Sequence, residues 1–399
     1  MAADHVDLDS LAQLVPHQPL LLVPEGDAPL MRKLGFQHVI ENSFWSVNTV
    51  TFSEPATASL RCSIQRHSLV PPADGAVENL SWNSMPTTFG ATNHSPGSWN
   101  QVSFIAVPAN HWSCRSPFDA NQALFLGWVI VSHVREGAIY FAGDTAPLLD
   151  KDFADICRNQ AYPPVSVCLQ PGGPNHERDT MQKTHASAID AVVSHMSLVV
   201  HSLSPPEQQQ QHHPDAVDAA AASSAPSERA LPGKDELWRA LRNKLTLLMH
   251  HNTFELGVDR FNEAAILLES LFAALELRVA TVASSSTSST EPPSSTPTTT
   301  LVDAIDPVLD TTRVFDTRQY RALARDLPPL AGDFIQAGVR RMEHLLRPWG
   351  ILDSPTDVAQ LIQLTREQLL ISKIGATIEL SHYLPLRSDL ELVTLERVD

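Results

Sequence analysis

Short apolar runs closed by Gly, Pro, Asn or Ser mark the first two hundred residues. They are LLLV at 20–23, SVNTVTF at 46–52, QVSFIAV at 101–107, LFLGWVIVS at 124–132 and AIYFA at 138–142. Runs of this length between turn residues predict strands of a well-covered sheet. Helical spacing interleaves with them, in DLDSLAQLV near the start and in KTHASAIDAVVSHMSLVVHSL at 183–203. Strands alternating with helices predict an α/β layered fold.

Two tracts break the pattern. SPPEQQQQHHPDAVDAAAASSAPSERALPG, residues 204–233, is rich in Gln, Ala, Ser and Pro and has too little apolar content for a packed element. It reads as a disordered insertion, and its paired histidines as composition. Order resumes at DELWRALRNKLTLLMHHNTFEL. ASSSTSSTEPPSSTPTTT, 283–300, reads as a linker by the same reasoning, and the tail after it as mostly helical. Within that tail, SPTDVAQLIQLTREQLLI at 354–371 opens with a capping Ser, a Pro at the first helical position and an Asp three residues past the Ser. The expected organisation is one domain over 1–278 that carries the insertion, a Ser/Thr/Pro linker over 279–300, and a mostly helical region over 301–399.

Composition narrows the function classes. The chain has 399 residues and a formal net charge of −17, which argues against gripping nucleic acid through its phosphates or docking electrostatically on an anionic membrane. Four cysteines (Cys62, Cys114, Cys157, Cys168) without a CxxC do not make a disulfide framework, so an intracellular, reducing compartment is expected. ALFLGWVIV at 123–131 is far too short to span a bilayer. The acidic start, MAADHVDLDS, has neither an apolar signal core nor a basic presequence.

The candidate chemistry lies where an acid or a histidine ends an apolar run. Asp4 and His5 follow Met-Ala-Ala; His111 sits in VPANHWSCR, Asp144 in IYFAGDTAPLLD, and His250 and His251 in LMHHNTF. Each has an ordinary reading. Asp144 could cap a turn that Gly143 permits, Asp4 and His5 could belong to a frayed terminus, His111 to a strand exit, and His250 to the edge of the core. Taken together they point elsewhere. Strand ends at one edge of a parallel sheet converge on one crevice, and imidazole with carboxylate is the ligand set of a hydrolytic zinc site.

In order and spacing these segments resemble the metallo-β-lactamase-fold hydrolases, specifically the branch of N-acyl-phosphatidylethanolamine-hydrolysing phospholipase D. DHVDLDSLAQL resembles the end of an HxHxDH motif and its following helix, and VPANHWSCR resembles VPxxHWxxR. FAGDT is identical to the family's five residues, MQKTHASAIDAV is similar to MxxxHxxPxEAV, and HHNTFEL is similar to HWGTFxL. The resemblance covers residues 4–275 apart from the insertion. It implies an αββα sandwich lacking its first strands, a zinc-dependent phosphodiester hydrolase, and a phospholipid substrate met at a membrane surface and split into N-acylethanolamine and phosphatidic acid. It implies that Asp144 bridges two zinc ions, that Asp4, His5 and His250 complete one site, and that His111 belongs to the other. Asp4 and Asp144 are the implied catalytic carboxylates. His185 and Met181 would contact substrate, and His251 would be a wall residue; a helix-entry role for His185 is the alternative.

The chain departs from that pattern at its start. The second His of HxHxDH falls on Ala2 and the first would precede Met1. An incomplete start is therefore expected, with about one zinc held tightly, since a site needs three or more protein ligands. A hydrolase of the same fold acting on a soluble ester, lactone or phosphodiester is a rival reading, supported by Ala188 where the family has Pro. A catalytically inactive remnant or a binding protein is the other.

Overall fold

The computed structural model describes residues 7–53, 61–69, 101–114, 118–148, 150–159, 161–175, 178–203, 233–250, 263–287, 330–371 and 380–385. Asp4, His5, His251, nearly all of the 204–233 insertion and residues 288–300 lie outside them. The fold is α/β. Strands β1 (Leu21–Pro24) and β2 (Val39–Asn42) form a small parallel pair around helix α2 (Ala28–Leu34), after helix α1 (Leu8–Leu14). The other strands are β3 (Ser46–Ser53), β4 (Arg61–Ser68), β5 (Gln101–Pro108), β6 (Leu126–Ser132), β7 (Ala138–Phe141), β8 (Val165–Pro171), β9 (Leu245–Met249) and β10 (Leu369–Ile371). They make one eight-stranded mixed sheet in the order β10-β9-β8-β7-β6-β5-β3-β4.

Strand direction positions everything that follows. β6 is antiparallel to both β5 and β7, so β5 and β7 run the same way. β8 and β9 are parallel to β7. The C-terminal ends of β5, β7, β8 and β9 therefore lie at one end of the sheet, as the sequence argument for a shared crevice requires.

The remaining helices are α3 (Asp150–Arg158), the single turn α4 (Arg178–Met181), α5 (Ala188–Leu203), α6 (Lys234–Arg242), α7 (Glu263–Thr287), α8 (Leu330–Leu346) and α9 (Pro355–Gln368). One sheet face presents Val47, Ile105, Val129, Val131 and Tyr140 to Phe153 and Ile156 of α3 and Leu198 of α5. Residues 188–201 of α5 are all buried, as an apolar helix should be when it is covered on every side. Its other flank joins α6, α7, α8 and α9 in a second core that includes Leu241, Leu271, Ile335, Val339 and Leu361.

Three sequence expectations change here. α7 continues to Thr287, past 279 where the linker was expected to begin, because Leu271, Phe272, Leu275 and Val279 are buried against the other helices. The described part of the tail shares the α5–α7 core and does not form a separate region. Finally, the helical reading of 354–371 holds only to Gln368; Leu369–Ile371 instead add a parallel edge strand to β9. The start of α9 is as read: Ser354 Oγ accepts the amide of Asp357 at 3.3 Å, with Pro355 next in line.

Between α5 and the sheet lies a buried polar pair. His195 is fully buried, its Nδ1 3.0 Å from Thr246 Oγ1 and its Nε2 without a hydrogen bond. Burial, and secondarily the nearby Lys244 ammonium, push its pKa down to about 4. The folded chain then resists protonating His195 while the unfolded chain accepts the proton near pH 6.5, so stability falls as pH drops from 6.5 towards 4 and the effect levels off below that. Denaturant unfolding should show a loss of about 1.5 kcal/mol between pH 6.5 and 5 from this residue. His195→Leu should abolish that increment, so the two pH profiles should diverge by it below pH 6.5; parallel profiles would refute it.

Candidate metal centre

Four side chains meet at the C-terminal end of the sheet. Asp144 follows β7 after Gly143, whose φ of +68° is left-handed and turns the chain sharply. The Asp144 carboxylate is almost wholly enclosed, its side chain 4% exposed. Nε2 of His111 lies 3.2 Å from its Oδ2, Nε2 of His185 3.1 Å, and Nε2 of His250 3.7 Å. Ligand-capable atoms of His111, Asp144 and His185 all fall within 4.8 Å of one another, so this buried group could hold a metal ion.

The strands alone do not bring these residues together. β5 and β7 are separated by β6, and β7 and β9 by β8, each pair about 10 Å apart. The connecting loops close both gaps. Thr145, which is wholly buried, does so on the His111 side: its Oγ1 accepts the amide of Asn110 at 2.8 Å, and the amide of Ala146 donates to the carbonyl of Asn110 at 2.8 Å. The Thr145 carbonyl accepts the amide of Ala186 at 2.7 Å, tying in the residue after His185. On the other side the Gly172 amide donates to Met249 at 2.9 Å, next to His250. His250 itself has φ +56°, uncommon for a residue with a side chain.

The far sides of the rings show which atoms face the carboxylate. His111 Nδ1 is 2.7 Å from the carbonyl of Trp112, and His250 Nδ1 is 3.1 Å from the carbonyl of Gly173. A carbonyl only accepts, so both Nδ1 atoms carry protons. With Nδ1 so engaged, both rings turn Nε2 towards Asp144. Among the described residues Nε2 of His111 makes no hydrogen bond, and it lies 3.2 Å from Asp144 Oδ2. A ring N–H on a backbone carbonyl is the usual support for a metal-binding histidine. His185 Nδ1 is 2.7 Å from Thr184 Oγ1, a hydroxyl that itself donates to the carbonyl of Met181 at 3.3 Å.

His111, Asp144 and His250 are thus brought together. Asp4 and His5 lie outside the described residues. His185, read as a substrate contact, sits as close to Asp144 as His111 does. It precedes α5 instead of lying on it, which frees its ring to turn inward. Met181 shows a backbone role: its carbonyl accepts the amides of Thr184 at 3.0 Å and His185 at 2.8 Å. Phe125 stacks on His111 with ring centres 4.4 Å apart, while Trp112 is 47% exposed beside it. Nothing in the sequence marks Thr145 or Arg178 as part of the site.

No family model matches this chain, and no curated protein matches it. Among the described residues, no helix is long and apolar enough to cross a membrane.

Thr145→Val keeps the volume and removes the hydroxyl that pairs with Asn110. It should destabilise the fold by about 1–3 kcal/mol, the cost of leaving a buried amide unsatisfied. Denaturant titration of the two proteins checks this.

Proposed function

We propose that this chain is a metal-dependent hydrolase in which His111, Asp144, His185 and His250 hold a divalent cation, zinc being the best fit to three imidazoles and a carboxylate. The observation that carries this reading is the convergence of imidazole Nε2 atoms on one enclosed carboxylate oxygen, with Nδ1 of His111 and His250 turned to backbone carbonyls. The helix layer over one sheet face, the site at the strand ends and the motif order favour a metallo-β-lactamase αββα architecture. Within it they favour the phosphodiesterase branch acting on N-acyl-phosphatidylethanolamine. A cation held there would supply electrophilic polarisation of a phosphoryl oxygen and acidify a water.

The chain's own residues supply the rest. Asp144 offers negative charge at a fixed point, because Gly143 and Thr145 set the backbone on either side of it. His111 and His250 are oriented with Nε2 towards Asp144 by the carbonyl partners of their Nδ1 atoms. His185 is held through Nδ1 by the Thr184 hydroxyl. Its Nε2, 3.1 Å from Asp144 Oδ2, is the atom that would bind the cation. The exposed ring of Trp112 beside His111 gives the rim an apolar surface.

Purified, dialysed protein should retain about one equivalent of zinc, in keeping with the four described donors. Asp144→Asn should lose it while keeping the fold. Wild type should cleave a phosphodiester such as bis(p-nitrophenyl) phosphate and N-acyl-phosphatidylethanolamine in mixed micelles, and His111→Ala should lower either rate by about a hundredfold or more. Cleavage of carboxylic esters alone would keep the hydrolase and remove the lipid branch. A folded wild type that retains no divalent cation and hydrolyses neither class would overturn the proposal.

A further inference from the structure

We infer that helix α8, far along the chain, positions the metal cluster by holding Asp190 through Arg341, and through Arg178 the backbone that aims His185 and His250. This rests on reading the cluster as a metal site.

Phe334, Gly338 and Arg341 fall on one face of α8, at helical spacings of four and three. All three meet the segment around the start of α5. A Cβ on Gly338 would come within 2.4 Å of Ile189 Cγ2, so the backbone of α8 presses directly on the first turn of α5. Arg341 donates from Nη1 to Asp190 Oδ1 at 2.6 Å. The Arg178 guanidinium lies 5.2 Å from the centre of the Phe334 ring.

Asp190 is 4% exposed and joins these groups. Its Oδ2 accepts the amide of Ser187 at 2.9 Å, the Ser187 hydroxyl at 2.7 Å and Arg178 Nη2 at 3.1 Å. A buried carboxylate needs such compensation, and here it is divided between an arginine from α4 and one from α8. Arg178 in turn donates from Nη2 to the carbonyl of His185 at 3.0 Å and from Nη1 to the carbonyl of Pro174 at 2.9 Å. Pro174 adjoins Gly173, whose carbonyl fixes His250 Nδ1. One guanidinium thus grips the backbone at or next to the supports of two of the three imidazoles. Arg341 neutralises the other oxygen of the same carboxylate, so that Arg178 is not drawn away from those carbonyls. Arg341 touches no ring of the cluster; it is a positioning residue.

The test compares full-length wild type, Arg341→Gln, Arg341→Lys and the exposed neighbour control Arg340→Gln. In metal-free protein, amide hydrogen exchange over 184–187 should quicken about tenfold in Arg341→Gln and stay near wild type in the other two. Cobalt(II), used as a spectroscopic probe, should bind Arg341→Gln about tenfold more weakly with an altered visible spectrum, and Arg341→Lys should restore both. If Arg341→Gln does not fold, Phe334→Leu removes the ring beside Arg178 and is read the same way. Unchanged exchange would overturn the inference, as would faster exchange with an unchanged cobalt spectrum and affinity, which would make α8 structural only. If wild type takes up no cobalt, the proposed hydrolase falls, and the exchange of the metal-free proteins alone decides whether α8 holds this segment.

Discussion

The rest of the structure depends on the enclosed carboxylate of Asp144, on which three imidazoles converge at the end of the sheet. Burying an ion costs several kcal/mol in practice unless charge and hydrogen bonds compensate it. Four strands of like direction end beside one another, so the turns that follow them open onto the same volume. Gly143 turns the chain in the left-handed region, and His250 adopts a positive φ at the close of β9. Strained or uncommon backbone is retained where the surroundings over-determine it, and such positions cluster at functional sites. The rings around Asp144 are themselves aimed from behind, by Trp112, Thr184 and Gly173.

The same principle recurs at Asp190, with protein cations in the role of compensation. Two arginines distant in sequence share one buried carboxylate, and one of them also holds the carbonyl of His185. The polar network lies where α4, α5 and α8 meet, at the margin of the larger apolar core. That core makes the described C-terminal helices part of one body with the sheet: α5 packs on β8 and β9 with one flank and on α7 and α8 with the other. Packing and electrostatics therefore couple α8 to a site built from strands far earlier in the chain.

Much of this was legible in the residues. The apolar runs gave β1, β3, β5, β6 and β7 nearly to the residue, since four to eight apolar positions between turn formers have few other uses. Ser354 and Pro355 announced α9 because capping is local chemistry. The linker boundary was less legible. Small and hydroxylated residues continue α7 to Thr287, because Leu271, Phe272 and Leu275 anchor the helix in a core contributed by remote segments. Leu369–Ile371 read as helix because nothing nearby in sequence shows that β9 leaves an edge to be paired.

The sequence by itself determined which residue types stand at the ends of apolar runs, and so marked His111, Asp144 and His250 as one set. Their spacing after strands is a local property, and a parallel arrangement makes them neighbours. Only the tertiary structure decided that His185 joins them. It enters because the turn after α4 is closed by Met181 and Arg178 and tied to Thr145 by the amide of Ala186. Those contacts join residues whose separation no periodicity encodes. The same holds for Arg341, which reaches Asp190 across 151 positions of chain. A charge pair of that range exists only once the helices have packed.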